Sequence, residues 1–152
     1  MIETAPRKGV WQLSYESPDR ETLETFLKTA HNSHDTILFP VFLLLSESGI
    51  PVEEVLDLSF RDYPGRGQIV QNAIRRIIQL QDSSQNALEQ WLAKDRAEWI
   101  AEKKREGLLL ANTSQKIFPI SKAYLQCGLN EIMRDASIQP FVLSALEKCS
   151  RR

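Results

Sequence analysis

Ile37-Leu38-Phe39-Pro40-Val41-Phe42-Leu43-Leu44-Leu45 is the longest apolar run in this 152-residue chain, and its reading decides the fold class. A membrane-spanning helix needs about 20 such residues, so a run of nine marks a core helix. No polar residue interrupts it, which is the pattern of a helix buried on every side. Pro40 then has to sit in the first turn, where its missing N–H leaves no intrahelical bond unmade. Gly49 stands where a left-handed residue would end the helix, and Pro51 can open a further short one, Val52 to Leu58, with Glu53 and Glu54 at its positive end.

Working outward, Ser17-Pro18-Asp19 offers an N-cap, a proline for the first helical position and an acid for the first turn. Leu23, Phe26, Leu27 and Ala30 follow at amphipathic spacing, predicting a helix to about His31. Asn32 to Thr36 break that pattern before the core helix begins. Beyond Leu58, Tyr63-Pro64-Gly65-Arg66-Gly67 reads as a turn, and the period changes. Gln68-Ile69-Val70 and Ile74 to Leu80 suit two short strands joined by Gln71-Asn72-Ala73.

Asp82-Ser83-Ser84 caps a long helix in which Leu88, Trp91, Leu92 and Trp99 share a face, ending at Gly107. Leu108-Leu109-Leu110-Ala111 reads as a third strand, closed by Asn112-Thr113-Ser114-Gln115. Ser121 caps a helix with Leu125, Leu129, Ile132 and Met133 on one face, and Gln139-Pro140 starts a last helix carrying Val142, Leu143 and Leu146. The expected fold is therefore α+β and mainly α, a helical domain with a small antiparallel three-stranded sheet. Nothing repeats and no low-complexity linker divides the chain, so residues 1–16 read as an N-terminal extension and 17–152 as one domain.

Composition narrows the function classes. A hydrophobic share of 42% and a charged share of 26% are globular values. Lys+Arg 19 against Asp+Glu 20 gives a net charge of −1, so any grip on a phosphate backbone has to come from a local patch. Cys127 and Cys149 are too few for a zinc site or a disulfide framework. The N-terminus shows no export signal, and the expected location is cytoplasmic.

The phrases at the joints are more specific than the order of elements. Ser48-Gly49-Ile50-Pro51-Val52-Glu53-Glu54-Val55 followed by Leu58 resembles the tyrosine recombinase (phage integrase) segment in which Thr-Gly-Leu-Arg leads into a helix with Glu and two leucines. Arg76-Ile77-Ile78-Gln79-Leu80 before a serine-capped helix resembles that family's strand ending Arg-x-Val-Pro-Leu. Leu109-Leu110 with Pro119-Ile120-Ser121 resembles its Leu-Phe strand and Leu-Ser helix start. Ala136-Ser137-Ile138-Gln139-Pro140 resembles its Ala-Gly-Ile-Thr-Pro, the lead into the His-x-x-Arg box. The four phrases are collinear from about Pro18 to Leu146.

The resemblance implies a catalytic domain that cuts DNA by attack of a tyrosine hydroxyl on a phosphodiester, with arginines and histidine or lysine donors stabilising charge at phosphorus. In this chain the first arginine position holds Pro51, the hairpin lysine falls on Gln71, and the His-x-x-Arg box falls on Phe141 and Ser144. Arg152 ends the sequence before the expected nucleophile, and Tyr15, Tyr63 and Tyr124 all precede it. Removing such donors removes most of the electrostatic stabilisation on which phosphoryl transfer depends. The expectation is a degenerate member, not an enzyme, that acts by binding as a DNA-binding or regulatory protein, nucleoid-associated if it binds DNA. An excerpt of a longer protein would not restore Pro51, Gln71 or Phe141.

Candidate DNA contacts are Arg66, Arg75 and Arg76 around the hairpin, together with Lys116, Lys122 and Gln126. Lys122 and Gln126 share a helical face, and Gln can read adenine edges. Glu131 and Asp135 lie on the same helix, so binding should be weak and strongly salt-dependent. The alternative is a protein-interaction module, homodimeric or with another partner, that has lost DNA. The near-zero net charge favours it. His31 and His34 lack a third ligand for a metal, Glu102-Lys103-Lys104-Arg105-Glu106 reads as a solvated helix end, and no cofactor motif is present.

Overall fold

The computed structural model describes residues 16–71, 74–108 and 113–151. Its centre is α2, Leu38–Ser48, in which Leu38 and every residue from Pro40 to Ser46 are buried. Pro40 lies in the first turn as its chemistry requires, and the buried Ser46 hydroxyl donates to the Leu43 carbonyl oxygen at 3.1 Å, so no polar group is stranded. A helix without a solvent face needs neighbours on all sides. They are α1 (Arg20–His31), α4 (Asp82–Gln90), α6 (Lys122–Ala136) and α7 (Leu143–Glu147), each packed against it. Phe26 of α1 touches Phe42 of α2 at 5.1 Å between ring centroids and Phe141 at 5.2 Å, joining both ends of the chain in one core.

Several element boundaries differ from the sequence expectation for identifiable reasons. Asp19, not Ser17, caps α1: its carboxylate accepts from the Thr22 N–H at 2.8 Å, which leaves Pro18 outside the helix. Helix α3 runs Val52–Asp57, with Pro51 as the residue before it and Leu58 already extended. The last helix starts at Leu143 and not at Gln139-Pro140, because Phe141 turns inward, its N–H meets Met133 Sδ at 3.3 Å, and Val142 stays extended. At the start of α4 the preceding residue is Gln81, which makes no side-chain cap, while Ser83 and Ser84 donate their hydroxyls to the Glu47 carboxylate.

The long helix is interrupted. Between α4 and α5 (Arg96–Arg105) lies a π turn, Trp91–Asp95, in which the Arg96 N–H reaches the Trp91 carbonyl. In a regular helix, positions five apart lie about 140° apart around the axis. The wider turn brings both side chains to one carbonyl: Trp91 Nε1 donates to Ile117 O at 2.9 Å and Arg96 Nε to the same oxygen at 3.2 Å. Arg96 also donates to the Lys116 and Thr113 carbonyl oxygens and lies 4.7 Å from the centre of the Phe60 ring. The segment before α6 is thus held by the helix that precedes it in the chain.

Among the described residues the sheet has two strands, β1 (Gln68–Gln71) and β2 (Arg76–Gln79), antiparallel with Gln68 opposite Gln79 and Gln71 opposite Arg76. That register places Ile74 and Arg75 in the connection and not in the strand, and Arg75 has a left-handed φ of 52°. Leu108 is irregular, and Leu109 to Ala111, expected as a third strand, lie outside the described residues. Other expectations match the fold: Gly49 ends α2 at φ 72°, and Ser121 caps α6 by accepting from the Tyr124 N–H at 3.1 Å. Among the described residues no helix is long and apolar enough to cross a membrane.

At Gly128 α6 packs tightly against α2, since a Cβ there would stand 2.5 Å from Leu38 Cδ2. Gly128→Ala should therefore cost about 1–3 kcal/mol of stability, the usual range for overpacking. Urea denaturation measures this, and adding Leu38→Val should recover part of the loss by emptying the space the new methyl needs.

Candidate functional site

Helix α3 is six residues long and carries three acids, Glu53, Glu54 and Asp57. Each reaches a cation on a different element. Glu53 Oε2 lies 2.7 Å from Lys122 Nζ at the start of α6, and Asp57 Oδ1 lies 2.7 Å from Lys116 Nζ. Glu54 Oε1 accepts from Arg76 of β2 at 3.1 Å and from the Gln71 side-chain amide of β1 at 3.0 Å. Gln71 Oε1 in turn accepts from Arg76 Nε at 3.0 Å, which closes a three-residue network on the inner face of the hairpin.

Lys116 is placed by the return segment: the backbones of Ser59 and Lys116 form an antiparallel bridge, and Arg96 holds the Lys116 carbonyl oxygen. Lys122 is the first residue of α6. A fourth acid, Glu147 of α7, accepts from the Val52 N–H at 2.8 Å and adds a second negative charge felt by Lys122. Four carboxylates thus stand among three cations.

The positions singled out from sequence divide into three groups, with Gln126 apart from all of them. Arg76, Lys116, Lys122 and Gln71 are brought together around α3. Arg66 and Arg75 are exposed at opposite ends of the hairpin, both with left-handed φ, and make no ion pair among the described residues. Pro51, Phe141 and Ser144 form no polar constellation: Pro51 precedes α3, Phe141 is buried against Phe26, and Ser144 is exposed on α7. Gln126 donates to Asn130 Oδ1 at 3.0 Å on its own helix.

Other candidate groups are engaged structurally. The Tyr63 hydroxyl donates to Glu89 Oε2 at 2.8 Å, and burial followed by that carboxylate pushes its pKa up to about 12. Tyr124 donates to Asp35 Oδ2 at 2.7 Å, and burial and then Asp35 raise its pKa as well. Both phenols are thereby moved away from the ionised form a nucleophile needs. Tyr15 lies outside the described residues. His31 packs edge-on to Phe39 at 4.6 Å, and no group of three or more possible metal ligands occurs among the described residues.

Sequence reading missed the acids as partners. Glu53 and Glu54 were legible only as first-turn residues, because their cations lie 69 and 22 positions away, and Asp57 is 59 positions from Lys116. Arg96 was missed as well. Its only signal is an arginine five positions after a tryptophan on a helix, which does not point to a carbonyl acceptor.

No family model matches the chain, and no curated protein matches it. Among solved structures it is similar to the XerA recombinase, with a TM-score of 0.67 and 16% identity over 92% of this chain and 49% of that one. The chain spans about half the length of that recombinase chain. At this identity the likeness is one of fold: a recombinase-like arrangement, mainly helical, with a two-stranded antiparallel sheet among the described residues.

The Lys122 ammonium, through its hydrogen bond and charge, holds the Glu53 carboxyl below its ordinary value, and Glu53 holds Lys122 above its own. Glu53 therefore adds to stability above the ordinary glutamate pKa of about 4.3, and the contribution fades as pH falls through the lowered folded value. Carbon-detected NMR titration of the glutamate carboxyls should find Glu53 below the ordinary range. Its midpoint should rise when Lys122→Met removes the ammonium, and an unchanged midpoint would mean the pair does not form in solution.

Proposed function

We propose that this chain is a recombinase-like domain that binds DNA without cutting it. The observation that carries the reading is in the sequence: at the positions where the resembled family has arginine, lysine and His-x-x-Arg donors, the resemblance puts Pro51, Gln71, Phe141 and Ser144. The neighbouring polar groups are the carboxylates of Glu54 and Glu147, with Arg76 held between Gln71 and Glu54 and Lys122 within the field of Glu147. A phosphodiester there would meet carboxylates, cations already paired with carboxylates, and no His-x-x-Arg donors, so strand cleavage has little electrostatic support.

Binding remains within reach of the outer cations. Arg66, Arg75, Arg76, Lys116 and Lys122 lie on the hairpin, its flanking turn and the segments around α3. This favours a backbone contact that positions the chain on a duplex with little sequence discrimination. Gln126 is the one candidate reader of a base edge.

A second reading is favoured by one specific observation. Ile74 and Ile77 are 55% and 65% exposed at the end and on the outer side of the hairpin, and phosphate contact gives apolar groups of that size nothing to bury against. A protein partner or a second copy would cover them.

Fluorescence anisotropy with a 20-base-pair duplex, beside a supercoiled-plasmid nicking assay, separates these readings. The DNA reading expects no nicked circle and micromolar binding at low salt. With up to five phosphate contacts, affinity should fall roughly 500-fold between 50 and 200 mM salt. Nicked plasmid would contradict the absence of catalysis. No binding to any duplex, together with a dimer mass by light scattering, would replace DNA by the protein reading.

A further inference from the structure

Three of the five cations that would hold a duplex are already occupied. Lys122, Lys116 and Arg76 come from α6, from the segment before it and from β2, yet all three find their counter-ions on the single short helix α3. Glu53 and Asp57 are four positions apart and so lie on one side of that helix, with Glu54 about 100° around it. The pairs are at least partly solvent-exposed, with side chains 29–81% accessible, so a competing anion can reach them without unfolding anything.

We infer that Glu53, Glu54 and Asp57 act as internal surrogates for backbone phosphates, an autoinhibitory contact that a polyanion must displace to dock on this face. The inference rests on the DNA reading given above and sets its strength. Each docking event exchanges a carboxylate for a phosphate oxygen on one cation and leaves the freed carboxylate close to the incoming strand. Exposed ion pairs are individually weak, a factor of about two to five in an equilibrium constant. Three exchanged together would hold affinity down by roughly tenfold to a hundredfold. Arg66 and Arg75, which make no ion pair among the described residues, are left to make the first encounter.

The test compares two variants of equal net charge. In E53Q/E54Q/D57N the three surrogates become neutral. In E21Q/E98Q/E102Q three exposed acids that form no ion pair among the described residues are neutralised instead. Both are titrated with the same 20-base-pair duplex from 25 to 200 mM salt, after circular dichroism has confirmed native helix content. If E53Q/E54Q/D57N is unstable, the exposed pair E53Q/D57N is compared with E98Q/E102Q.

The surrogate variant should bind at least tenfold more tightly than its charge-matched control. Equal affinities would overturn the inference, and if both variants and the wild type still bind, the DNA reading survives it. Binding by the surrogate variant alone, with none by wild type or control, would support the inference while showing that the resting chain does not engage DNA. No binding by any of them would overturn both.

Discussion

Everything in this fold follows from a helix that has no side to show to water. α2 is buried along almost its whole length, so the rest of the chain must surround it, and it must stop abruptly where the surround is complete. Gly49 makes that stop in a left-handed conformation, and a Cβ there would run into Ser150 Oγ of the C-terminal turn. Pro51 then sets the direction of α3, whose buried Val52 and Val55 anchor one side to the core and leave Glu53, Glu54 and Asp57 on the other. The acidic helix sits where it does because of packing, before any charge interaction is counted.

The two kinds of force have different consequences. Burying a large apolar side chain is worth about 1.5–3 kcal/mol, and the core contains many, Trp91, Phe26, Phe42, Phe118 and Phe141 among the largest. The ion pairs on α3 are exposed and add little to stability. Their importance lies in what they withhold. A cation bound to a carboxylate is not free to meet a phosphate, so groups that scarcely affect folding can still set the electrostatic character of the face they share.

The legible part of the structure was the part written in local pattern. The all-apolar run gave α2, the serine before an amphipathic stretch gave the start of α6, and the glycine after Ser48 gave the end of α2. The hairpin was visible in outline, but its register was not, because the residues that decide it include an arginine in a left-handed conformation, which no propensity rule expects. The π turn was hidden for a related reason. It exists to aim Trp91 and Arg96 at a carbonyl more than 20 positions away, so its cause is tertiary. The same holds for the candidate site: the expectations at Pro51, Gln71, Phe141 and Ser144 came from resemblance alone, whereas the acid–cation pairs could not be read at all, since nothing in the neighbourhood of Glu53 names Lys122.

The recombinase-like fold is supported by similarity of architecture, and the loss of a reactive phosphate grip is the proposed reading that gives the fold its role here. The most direct measurement is a titration of the isotopically labelled protein with inorganic phosphate at constant ionic strength, followed by amide NMR. The account predicts no saturable shift among the amides of residues 49–52 and 141–144, away from the carboxylates whose cations an anion can reach. A saturable shift centred there would mean that the backbone beside Pro51 still holds a phosphate, and would contradict it.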